Sequence, residues 1–290
     1  MGPQVRGAFY RPQCFLGAIL RNVSVASVGL ICSAGVGAEG AVGGQPGKIE
    51  GFRARDYVTD RKMIKVMTRS VQLGVAAIQQ ALDGFQDFNS IAAPRRAMFV
   101  GTTPLGGDAK DLLPALEAST NESGELSMED FSSKGYDRIH PLWLIRGLSN
   151  NILGLSAAIH DFQGVNANYC SGESSGVLAL MEAYWAVAEG RADIAVAGAS
   201  DAMVEFSEKW MGKQGGEGAA FFVLRAGHPE DPWRINISPN AGAEKQLIQP
   251  DASLGYLGAA GDVVAIARSI LQGDQAHVSL DSGRILAFQG

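Results

Sequence analysis

The chain has 290 residues, enough for two small domains or one two-lobed unit, and a hydrophobic content of 46% supports a substantial core. A net charge of −6 without a basic stripe argues against a nucleic-acid partner, since nothing is placed to neutralise phosphates. Charged residues make up 19%, below the usual quarter or so, which implies surface buried against a partner. No apolar run reaches the roughly 18 residues needed to cross a membrane. Three cysteines (Cys14, Cys32, Cys170) with no CxxC pair point away from a disulfide or zinc framework, and a reduced cytoplasmic setting without cofactor or metal is the expectation.

Met1 to Arg21 holds only a short apolar patch, Phe15 to Leu20, and reads as an N-terminal extension (1–21). Val23 to Leu30 predicts a first strand, followed by the glycine-rich turn Cys32 to Gly37. Gln45 to Phe52 is a loop, the charged stretch Arg53 to Lys65 follows, and Met67 to Leu82 fits a buried helix. Ala97 to Gly101 is a core strand. Thr102 to His140 is polar and acidic with a helical piece at Ala109 to Ala118, and its length suits a lid or an interface. Pro141 to Phe162 is helical in pattern.

The densest signal runs from Asn166 to Ser200. A short strand (Asn166 to Tyr169) meets a turn of small residues (Ser171 to Gly176). A helix with apolar spacing (Val177 to Glu189) then ends at Gly190, ahead of a buried strand from Ile194. Such an elbow presents one side chain at a helix N-terminus, where backbone N–H groups favour an anion.

Here the chain resembles the β-ketoacyl synthases of the thiolase superfamily. Glu173-Ser174-Ser175-Gly176 overlays the family's Cys-Ser-Ser-Gly, and Gly190-Arg191-Ala192-Asp193 overlays its Gly-x-Ala-Asp. The stretch Phe52 to Arg69, with Met67-Thr68-Arg69, resembles a pattern found before the first long helix of such proteins. Asn150, Asn151 and Gly154 are similar to an Asn-x-x-x-Gly helix, and Gly164-Val165-Asn166 to a Gly-Pro-Asn lead-in. Gly216-Glu217-Gly218-Ala219 resembles the strand that opens the second half, and Leu254 to Gly261 the family's Gly-His-x-x-Gly-Ala-Ala-Gly turn. The resemblance implies a thiolase-like layered α-β-α-β-α fold over residues 22–290, with a first half of about 22–214 and a reduced second half of about 215–290. The gate loop is missing between Met203 and Gly215, most of a strand-helix section has gone between Trp233 and Asp251, and the C-terminal glycine-rich loop is absent.

The resemblance also shows what the chemistry lacks. Synthases of this family acylate a cysteine thiolate and use two histidines and a lysine to handle the malonyl thioester. In this chain Glu173 stands at the nucleophile position, Tyr256 at about the second histidine and Asp251 near the lysine. The four histidines (His140, His160, His228, His277) lie outside the family motifs. Catalytic residues are therefore none. Glu173 reads as a carboxylate at the helix N-terminus, capping it, Cys170 as a buried small hydrophobe, and His160 as a helix-terminal residue meeting the last carbonyls.

What the resemblance implies is a chain length factor, the inert partner that pairs with an active ketosynthase in a heterodimer and helps wall its polyketide tunnel, meeting acyl carrier protein through the complex. The helix after Gly106-Gly107 makes Leu112, Leu113 and Ala115 the tunnel or interface candidates. The alternative is a malonyl-carrier-protein decarboxylase that primes synthesis through Glu173.

Overall fold

The computed structural model describes residues 20–104, 109–239, 247–280 and 284–290. Most of the expected N-terminal extension, and the Gly106-Gly107-Asp108 turn, lie outside these described residues. In chain order the elements are β1 (Val23–Cys32), β2 (Gly35–Val36), α1 (Arg69–Asp83), β3 (Arg96–Gly101), α2 (Ala109–Ala118) and α3 (Asn151–His160). There follow β4 (Asn166–Tyr169), α4 (Ser175–Ala188), β5 (Ile194–Ala202), α5 (Val204–Met211) and β6 (Glu217–Ala226). The second half adds β7 (Trp233–Pro239), α6 (Gly261–Gln272), β8 (Ala276–Leu280) and β9 (Arg284–Gln289).

The strands join in the order β4-β3-β5-β6-β1-β7-β9-β8, with β2 folded back on β1. The pairings β3–β4 and β3–β5 are parallel, and the others on this path are antiparallel. Only three residue pairs, Val23 to Val25 against Trp233 to Ile235, connect β1 to β7. The sheet thus divides into a five-stranded part and a three-stranded part hinged on that short ladder.

Both faces of the larger part are covered, so β3, β5 and β6 read as near-continuous buried runs rather than alternating ones. On one face α1 buries Leu73, Ala77 and Ile78 against Met98, Val196 and Phe221. On the other, α4 and α6 pack against Phe99, Ala197 and Phe222 and also against Val278 and Phe288 of the smaller part. Phe222 and Phe288 meet across this second core with ring centroids 5.7 Å apart. The order helix, sheet, helix pair, sheet is a layered α/β architecture of the kind the resemblance implies, with β7 to β9 forming the smaller part. Among the described residues no helix covers the outer face of that part.

Two glycines set the close approaches. A methyl at Gly29 in β1 would run into the Ala77 carbonyl of α1, and one at Gly101 would lie 2.5 Å from the Gly176 nitrogen at the start of α4. The expected helix from Pro141 to Phe162 is broken in two. A turn at Trp143–Arg146 stops at Gly147, and the Asn151 amide donates to the Ile145 carbonyl at 2.6 Å, an acceptor that an unbroken helix needs for its own ladder.

Two sequence motifs prove to be halves of one contact. Arg69, at the start of α1, donates from Nε and Nη2 to Glu217 Oε2 at 2.9 and 2.7 Å, and Glu217 is almost wholly buried at the start of β6. The Ile49 N–H donates to the same carboxylate at 3.0 Å, and Arg69 Nη2 donates to the Ile49 carbonyl at 2.8 Å. A second fork links Arg95 to Asp193 at 2.8 and 3.1 Å, holding the Gly190 to Asp193 turn to the start of β3.

Candidate functional site

The elbow is built by its own small residues. Gly172 adopts φ +71°, the Ser171 N–H donates to Ser175 Oγ at 2.8 Å, and that hydroxyl donates to the Gly172 carbonyl at 2.7 Å. This tight turn projects Glu173 from the end of β4. The helix α4 starts at Ser175, and no side chain caps it. The expectation of a capping carboxylate is therefore corrected: Glu173 sits in the turn ahead of the helix and faces outward to Lys213, whose Nζ lies 3.8 Å away. Both partners are more than half exposed, so this pair contributes no more than about 1 kcal/mol.

Lys213 was not singled out from the sequence. It follows Gly212, which closes α5 with φ +61°, and it lies over the Tyr256 ring at 4.5 Å from the centroid. The Tyr256 N–H donates to the Gln214 carbonyl at 2.8 Å and the Gly216 N–H to the Tyr256 carbonyl at 3.0 Å, so a short bridge fixes the α5–β6 link beside the turn before α6. Burial, then a hydrogen bond to the Glu173 carboxylate, pushes the Tyr256 hydroxyl up to about 12. It stays protonated and acts as a donor to Glu173.

Glu173, Lys213, Tyr256, Asp251 and Asp262 line one cleft of about 660 Å³, whose wall also includes Gln214, Ile248 and Val278. The structure thus brings together Glu173, Tyr256 and Asp251, the three residues the resemblance sets at altered positions. Asp251 has a structural task there: it accepts from the Ser253 N–H at 2.9 Å and lies 3.4 Å from Arg268. Burial pushes this carboxyl up, but the Ser253 hydrogen bond and Arg268 outweigh it and leave the group below its usual range. Asp262 behaves oppositely, raised to about 6 by burial and then by the Glu173 charge.

The other sequence candidates lie elsewhere. Cys170 is exposed, not buried as expected, because β4 is an edge strand. Its Sγ lies 3.2 Å from Thr102 Oγ1 and 3.3 Å from Asn168 Nδ2. His160 ends α3 but makes no bond to the last carbonyls; its ring stands edge-on to Phe162, and burial lowers its pKa, so it is a neutral packing group. The backbone at Asp161, in the left-handed region at φ 55°, closes that helix instead. Among the described residues lining the cleft there is neither cysteine nor histidine. Leu112 is half-buried, Leu113 is 45% exposed, and Ala115 is fully buried against the helical turns at 131–138, away from the cleft.

Exposed large apolar side chains concentrate between residues 113 and 165. Met128, Tyr136 and Leu144 are 68%, 67% and 73% exposed, and Leu126, Ile145 and Leu148 accompany them. These lie on pieces packed together: α2 rests on the 131–138 turns, and its buried Asp111 pairs with Arg146 at 2.8 Å. The edge strand β4 follows this region directly. Among the described residues no helix is long and apolar enough to cross a membrane.

The family model described as "Beta-ketoacyl synthase, N-terminal domain" matches residues 35–224. Curated proteins give no match. Among solved structures, a type II PKS acyl-carrier protein in complex with its ketosynthase bound to the hexaketide gives a TM-score of 0.66 at 14% identity, covering 92% of this chain and 98% of the other. The ishigamide ketosynthase/chain length factor gives 0.65 at 16% identity, with 92% and 98% covered. A β-ketoacyl synthase from Burkholderia phymatum STM815 gives 0.59 at 15% identity, with 93% and 99% covered. Identities this low speak for the fold.

Proposed function

Because this chain belongs to the β-ketoacyl synthase family, we propose that it is a chain length factor, a subunit without condensing chemistry that pairs with a cysteine-bearing ketosynthase and helps shape its polyketide tunnel. The observation that carries this reading is the elbow itself. The family's strand-turn-helix scaffold is kept, while its reactive position holds a carboxylate already engaged by Lys213 and Tyr256. A carboxylate cannot take up an acyl group as a thiolate does, and the described cleft wall offers no imidazole to hold the thioester oxygen. Retaining the scaffold without the reagents fits a protein that contributes surface to another protein's reaction.

The apolar region between residues 113 and 165, beside an open sheet edge, supports pairing with a partner of related fold, as in the ketosynthase/chain length factor named above. Acyl carrier protein then meets this chain through the complex. The decarboxylase alternative is weaker, since Glu173 accepts from the Tyr256 hydroxyl rather than offering a donor to a malonyl carboxylate.

The test is reconstitution of the ketosynthase partner with and without this chain. We expect one defined product length only when both are present. Leu112→Phe in the intact complex shortens that product if α2 lines the tunnel, and an unchanged product removes Leu112 from the wall. A ketosynthase that makes the same products alone contradicts the proposal.

A further inference from the structure

Asp201 is the last polar residue of β5, and among the described residues it is the buried carboxyl group without a salt bridge, since Asp111, Glu217 and Asp231 each pair with an arginine. It is 4% exposed. Thr103 Oγ1 donates to its Oδ1 at 2.9 Å, and the Ala259 N–H donates to its Oδ2 at 2.6 Å. Thr103 belongs to the loop after β3, and Ala259 to the turn Gly258–Ala260 that opens α6 and continues from Tyr256. One carboxyl group therefore joins the first half of the fold to the second, directly behind the cleft. The approach is close: a methyl at Gly258, where φ is +55°, would lie 2.5 Å from Oδ2.

The surrounding charges are committed elsewhere. Arg146 shares with Asp201 a small cavity of about 10 Å³, enough for about one water, and pairs with Asp111. From β6, Glu217 is bound to Arg69. From the turn, Tyr256 faces Glu173, and Lys213 lies over the Tyr256 ring beside Glu173. Thr68, Ser70 and Thr102, which line the same cavity, carry no charge.

This site suits a neutral acid. One oxygen accepts from the Ala259 N–H, while the acid O–H donates to the Thr103 hydroxyl, which can accept as readily as donate. An ionised carboxylate keeps its donors but bears a buried charge with no counter-ion. We propose that Asp201 is a proton-dependent latch: as the neutral acid it ties the Tyr256–Ala260 turn to the ends of β3 and β5, and as the carboxylate it lets that turn move toward water.

Burial holds the Asp201 carboxyl well above its usual range, at about 7. The folded protein therefore binds a proton that the unfolded chain releases. The stabilisation is complete below the unfolded value of 3.8, is lost as pH rises toward about 7, and changes no further above it. The latch thus loosens within the physiological range, and this inference stands independently of any partner.

The test is an NMR titration of the full chain from about pH 5 to about pH 9, following the Ala259 amide shift and the aspartate carboxyl carbons. We expect the Ala259 amide to follow a midpoint near 7 and its exchange protection to fall by up to about tenfold per pH unit as pH rises toward that midpoint, then to level off above it. One carboxyl signal with that midpoint disappears in Asp201→Asn and persists in Asp262→Asn, which separates it from Asp262 at about 6. An Asp201 midpoint near 4, or Ala259 protection that does not change with pH, overturns the latch. The Ala259 measurement needs no substitution, so it decides even if Asp201→Asn does not fold.

Discussion

Arg69→Met is expected to destabilise the fold by about 3–5 kcal/mol, because it strands Glu217 as a buried charge with only the Ile49 N–H for company. The loss arises from what remains rather than from what is removed. Arg69→Met combined with Glu217→Gln is therefore expected to recover at least half of it, since a neutral amide can keep the Ile49 contact without a buried charge. Urea unfolding of the two variants measures the difference. If the double variant is as unstable as the sum of its single changes, the ion pair is not what ties the start of α1 to the start of β6.

A charge placed in the exposed apolar region is expected to abolish pairing while leaving the subunit folded. Leu144→Asp and Met128→Asp each change a side chain that is about two-thirds or more exposed, so neither opens a cavity nor buries a charge in the isolated chain. In a complex the same carboxylates are desolvated against an apolar partner surface. A loss of about 2–4 kcal/mol apiece, typical of interface anchors, weakens binding by roughly 30- to 1,000-fold. Analytical ultracentrifugation with the ketosynthase partner reads this directly. Unchanged association for both variants moves the interface away from this face.

How much of this was legible in the sequence depended on where periodicity and small residues act locally. The strand at Val23, the helix ending at Asp83 and the elbow from Asn166 to Ala202 follow from apolar spacing and from glycines at forced positions such as Gly172 and Gly190. The break between Arg146 and Asn151 was not legible, because it rests on a side chain taking a carbonyl two turns away. Glu173, Tyr256 and Asp251 share one cleft, a proximity that only the folded chain displays. Lys213 was missed for a plain reason: nothing in a lysine between Gly212 and Gln214 signals that the chain will fold it over Tyr256. Asp201 was missed likewise, since a carboxylate at a strand end reads as solvated until the turn at Gly258 is seen to close over it. The pairing of Arg69 with Glu217 lay between two recognised motifs, and only the fold joins them.

The central claim is that this chain lends its scaffold to another subunit's chemistry. Co-expression with a cysteine-bearing ketosynthase, followed by affinity capture on a tag carried by this chain and measurement of stoichiometry, tests it most directly. The account predicts an equimolar heterodimer that condenses malonyl units on the partner's cysteine, with activity unchanged by Glu173→Ala in this chain. Recovery of this chain without the ketosynthase, or loss of condensation on Glu173→Ala with the complex intact, would contradict it.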